Sequence, residues 1–191
     1  MAEKRTTRRV FYDSSLAAGV VESAVTEQRT TLQVFYDGWK EYMHMVGVTI
    51  VPLTGEQLAL RAAPHERSVE EIVRHIVDAR LEWFHSFMGE AGDDGGEIAR
   101  YVDWGAADED APQPSAAELV EGLEASWRFM AERLARWTPE EMALTLPIEW
   151  RGDPYGLSRS WVVWHVLEHD LIHGGEVSLT LGLHGLAAPR P

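Results

Sequence analysis

Apolar residues return every three or four positions along four long stretches of this chain, and that period allows little except helices packed against helices. In TLQVFYDGWKEYMHMVGV, Leu32, Phe35, Tyr36, Trp39, Tyr42, Met43 and Val46 share one side of a helix expected over about 23–48. A second stripe, Ile72, Ile76, Ala79, Trp83 and Phe87, follows Ser68 and Glu71, whose three-residue spacing is that of a capping box, and Gly89 is placed to end the helix. Ser115 with Glu118 opens a third helix, and a fourth is expected from about Ser160 to Leu181, ending near Gly182.

Between these stretches, Thr54 with Gln57 and Thr138 with Glu141 mark short helices, the latter with Pro139 at its first position. LTLPIEWRGDPYGLS alternates and then breaks at Gly152–Pro154, which fits a small hairpin or an extended strip. Residues 90–114 are acidic and rich in Gly and Pro, as a long crossover would be. The expected fold is therefore all-α: a four-helix bundle with a long crossover between helices 2 and 3, plus short extra helices or a small hairpin. Residues 1–22 lack a clear period and are read as an N-terminal extension, with residues 23–191 forming the bundle domain.

Charge and cysteine content remove whole classes of function. A net charge of -14 argues against nucleic acid and against a polybasic membrane anchor, since phosphate contacts need clustered Lys and Arg. No apolar run is long enough to span a membrane. The start, TTRRVFY, resembles a twin-arginine export signal, but Asp13 and Glu22 bracket too short an apolar stretch, and a cytoplasmic location is expected. With no cysteine, disulfides and thiolate metal sites are excluded, which leaves His, Asp and Glu as the strong metal ligands.

The stretch WHVLEHDLIHGGE then stands out. His165, His169 and His173 are spaced four apart, so they fall within an arc of about 80° on one helix face, together with Ile172 and Glu176. Two imidazoles at i and i+4 can reach one ion, but a sound site needs a ligand from another element. His75 is the natural candidate, because Ile72, Ile76 and Ala79 flank it on the inward face of the second helix. His44, His65, His85 and His184 have no such geometry and are read as surface or packing residues. HVLEH also fits the inverted zinc-protease signature, with Glu168 as base. That class needs a further ligand well downstream, and only 22 residues follow His169.

RSVEEIVRHIVDARLEWF and HVLEHDLIHGGEVSLTLGLHGL, with the crossover between them, resemble the DinB-like superfamily of helix bundles over roughly residues 25–186. The resemblance implies a divalent metal, zinc or nickel, held by His75, His169 and His173 with an open position, and it makes His165 a pocket-lining or supporting residue. It further implies a small-molecule substrate, a low-molecular-weight thiol as cosubstrate transferred to an electrophile or used in isomerisation, and a homodimer. Glu176 is the candidate catalytic residue, bonding either a ligand imidazole or the substrate; Trp83, Trp150, Trp161 and Trp164 are candidate walls. One departure is Gly174, where the family often carries a basic residue after the second ligand. Metal-dependent hydrolysis and a non-catalytic metal-binding bundle are the alternatives, and an interaction module with incidental histidines is a further one.

Overall fold

Reciprocal capping sets where most of the helices begin. Each of the first five starts at a Ser or Thr whose side chain accepts the backbone N–H three residues on, while the Gln or Glu there bonds back to the capping residue's N–H. They are α1 (Thr31–Ile50), α2 (Gly55–Leu58), α3 (Val69–Leu81), α4 (Ala116–Arg136) and α5 (Pro139–Met142). The antiparallel strands β1 (Thr145–Trp150) and β2 (Asp153–Ser158) follow, and then α6 (Arg159–Leu183), capped by Ser158. This computed structural model describes residues 30–90, 96–104, 112–150 and 153–188, with only the backbone described at 148–150 and 153–155. The extension at 1–22 lies outside the described residues.

The four long helices form the bundle. α3 packs on α4 and α6, and α1 packs on the same two, so α1 and α3 occupy opposite corners. Val46 and Ile50 of α1, Ile76 and Val77 of α3, Leu119 and Met130 of α4, and Val166 and Val177 of α6 are fully buried between them. Of the crossover, the described part carries a short 3₁₀ turn, Ala99–Tyr101, with Ile98 and Tyr101 buried against the bundle. Gly122 of α4 permits this contact, because a Cβ there would lie 2.6 Å from Trp104 Cζ3.

Three helix ends differ from the periodicity-based reading; α1 begins at Thr31, where the Thr30–Gln33 box sets its start, and not near residue 23. α3 does not continue as an α-helix through Phe87 but passes into a π-helical turn, Glu82–Phe87, in which Met88 N–H donates to the Trp83 carbonyl at 3.0 Å. The wider turn re-aims Trp83 and Phe87, and such turns recur at functional sites. α6 runs past Gly182 to Leu183 and stops where Gly185 takes a left-handed φ of 72°.

A charged pair sits at the centre of this apolar frame. Arg80 of α3 and Asp170 of α6 are both 0% exposed and joined at 2.7 and 3.0 Å. Trp39 of α1 donates its indole N–H to Asp170 at 2.6 Å, and Arg80 donates to Ser126 Oγ and the Leu123 carbonyl of α4, both at 3.1 Å. Burial alone pushes the Asp170 carboxyl up, while the guanidinium and the indole N–H act the other way. Asp170→Ala strands the Arg80 cation, and we expect it to cost about 3–5 kcal/mol in urea unfolding. Replacing both partners, as in Arg80→Met with Asp170→Leu, is expected to recover most of that loss.

Candidate metal centre

α3 and α6 bring imidazoles together along their seam. The rings of His169 and His173, one turn apart on α6, have centroids 4.2 Å apart, and the His75 ring from α3 stands 4.7 Å from each. One nitrogen from each ring lies within 4.8 Å of the other two, so the three can hold a metal ion.

The donor atoms fit such an ion. His75 Nε2 and His169 Nε2 face each other at 3.0 Å. Ligand nitrogens at 2.0–2.1 Å around a tetrahedral ion stand roughly 3.3–3.4 Å apart, close to this separation. Glu176 Oε2 lies 2.6 Å from His173 Nδ1. A carboxylate only accepts, so the proton sits on Nδ1 and Nε2 keeps its lone pair. A carboxylate behind a ligand histidine orients the ring and raises its basicity. Among the described residues His169 Nδ1, in contrast, is buried with no hydrogen-bond partner, so the polar contact of this ring runs through Nε2. An all-imidazole set suits zinc or nickel far better than calcium or magnesium.

Burial keeps His75 and His169 neutral, as ligands must be. Burial, then the charges of Arg67 and His173, pushes His75 down to about 4. Burial, then the neighbouring His173 and His75, pushes His169 down to about 3.

The remaining sequence candidates divide. His165 stays out of the trio, with its ring centroid 6.4 Å from that of His169. It stacks on Trp161 at 5.0 Å and 16° and meets the edge of Trp83 at 4.9 Å, while Trp83 also touches Phe87. These rings form an aromatic wall one helical turn from the imidazoles. Trp164 was expected in that wall but is 58% exposed, because one residue along a helix is 100° around it. The Trp150 side chain lies outside the described residues. Glu168, the base of the protease-like reading, lies 3.9 Å from His165 and is about half exposed.

Tyr42 is the site neighbour that sequence reasoning missed. Its ring lies on α6 at Gly174, where a Cβ would stand 2.8 Å from Cε1, and its hydroxyl donates to the Leu171 carbonyl at 3.3 Å. Tyr42 thus occupies the space that a side chain at 174 would need. The available signal was Gly174 itself, since a glycine inside a helix costs about 1 kcal/mol relative to Ala and so points to a close approach.

The fold and site are those of an all-α bundle in which three imidazoles from two helices could hold a metal ion, and the family follows from comparison. The model of the DinB superfamily matches residues 43–177, and the chain belongs to that superfamily. Its fold is similar to that of a DinB-like protein from Bacillus cereus ATCC 10987, with a TM-score of 0.58 and 20% identity over 82% of this chain and 95% of the other. It is also similar to a conserved protein from Enterococcus faecalis, with a TM-score of 0.57 and 12% identity over 81% and 99% of the two chains. No curated protein matches the chain.

Two predictions follow from this geometry. Gly174→Ala gains helix propensity but collides with Tyr42. Overpacking, at about 1–3 kcal/mol, outweighs a gain of about 1 kcal/mol, so net destabilisation is expected in urea unfolding. In a Tyr42→Ala background the same change is expected to be neutral or stabilising. In metal-free protein, His75 and His169 stay neutral when folded but bind protons near pH 6.5 when unfolded. The unfolded state then holds more protons, so their contribution makes stability fall as pH drops through 6.5 and on towards 4 and 3. His169→Gln is expected to flatten that slope in thermal melts.

Proposed function

We propose that this chain is a divalent-metal-dependent enzyme of the cytoplasm. In this reading His75, His169 and His173 hold zinc or nickel, and a low-molecular-weight thiol is transferred to a small electrophilic substrate. The observation that carries the reading is the convergence of three imidazoles from α3 and α6, with Glu176 holding one of them. When bound, a divalent ion with three neutral ligands keeps its full charge and acidifies a coordinated thiol or water.

The chain's own residues do the rest. Glu176 fixes the His173 tautomer and so acts as a positioning residue. Trp83, Trp161 and His165 provide an apolar flank that limits water. His165 stacks on Trp161 and stands away from the trio, which supports an open position of the kind an enzyme needs and a closed structural site lacks. Thiol transfer is favoured over hydrolysis because Glu176, the nearest base candidate, is engaged with His173 Nδ1. Leu171, Ile172, Leu179 and Leu183 leave an exposed apolar strip on α6, which supports pairing of two copies.

Elemental analysis of untagged protein tests the reading. One equivalent of zinc or nickel is expected, lost in His75→Ala and in His169→Ala. Glu176→Gln is expected to retain the stoichiometry with affinity weakened about 10–100-fold. Loaded wild type should consume a free thiol in the presence of monochlorobimane. Protein that holds no metal after zinc addition and dialysis would sink the proposal.

A further inference from the structure

On the α3 side of the imidazoles lies a cavity of about 370 Å³ whose lining includes His75 and three arginines, Arg61, Arg67 and Arg74. In a chain of net charge -14, cations gathered beside a candidate ligand call for an account. Two are already committed. Arg61 pairs with Glu71 at 2.6 Å and donates to the Glu66 carbonyl, and Arg74 pairs with Glu70 and donates to the Trp104 carbonyl at 3.1 Å. Of the cavity's acids, Glu71 is held by Arg61, Glu66 lies 3.2 Å from His65, and Asp78 has interactions of its own. Arg67 has no ion-pair partner among the described residues. It lines the cavity together with His75.

We infer that this cavity seats a carboxylate group, held by the guanidinium of Arg67, on a small acid whose other end reaches the His75 side of the centre. A planar fork of N–H donors matches a carboxylate, and the volume suits a molecule of a few heavy atoms. The carboxylate belongs either to the thiol or to the electrophile. Only the destination of its other end rests on the proposed function.

Calorimetric titration of zinc-loaded wild type and Arg67→Gln with succinate, mercaptosuccinate and 2-mercaptoethanol tests this. Arg67 is exposed, so the variant should fold and keep its zinc content. The expected result is that both dicarboxylates weaken on the order of tenfold in Arg67→Gln, more at low salt than at high. Arg67→Lys should regain part of the loss, and 2-mercaptoethanol should bind both proteins alike. Mercaptosuccinate binding more tightly than succinate would place the acid on the thiol, and equal binding would place it on the electrophile. Either pattern upholds Arg67 as the anion site. Absent dicarboxylate binding, or equal binding by wild type and variant, overturns the inference. Protein that takes up no zinc but still binds succinate through Arg67 would overturn the metal-dependent reading and leave this one standing.

Discussion

The buried pair of Arg80 and Asp170 is the contact on which the arrangement of this bundle depends. It joins α3 to α6 directly, reaches α1 through Trp39, and reaches α4 through Ser126 and the Leu123 carbonyl. Apolar side chains tolerate sliding of one helix along another, whereas a bidentate ion pair sealed from water does not. Asp170 follows His169 directly, and Arg80 lies five residues after His75 on the helix opposite. A slip of one turn, about 5.4 Å, would break the pair and carry the imidazoles out of reach of one another. The register that closes the ion pair is therefore the register that assembles the site.

Charge is arranged around the centre in two directions. His75 and His169 are held neutral by burial and by their charged neighbours, which suits them to a cation. Glu176 supplies the negative charge behind His173, and the arginines of the flanking cavity supply positive charge on the His75 side.

Much of the fold was legible because its determinants are local. The boxes at Ser68 and Glu71, Ser115 and Glu118, and Thr138 and Glu141 operate over three residues, and a sequence displays such spacing directly. His169 and His173 were legible for the same reason, four residues being one turn. The π-helical turn at Glu82–Phe87 had no such signal, since its residues carry the same three- and four-residue apolar stripe as the α-helix before it. Asp170 had one that went unread: a carboxylate among Val163, Val166 and Val177 on the buried face of α6 requires a buried cation. Nothing near it in the chain names Arg80, ninety residues earlier.

The amino-acid sequence alone determined the helical class, the starts of α2 to α5, the absence of cysteine ligands and the imidazole pair on α6. These depend on residue type and on intervals of three or four positions. The tertiary structure decided which histidine completes the group, that His165 turns to Trp161 and Trp83, that Glu176 faces His173, that Tyr42 covers Gly174 and that Arg67 lines one cavity with His75. Each of these rests on which helix faces meet and at what axial offset. That offset is set by packing and by one buried ion pair between residues far apart in the chain.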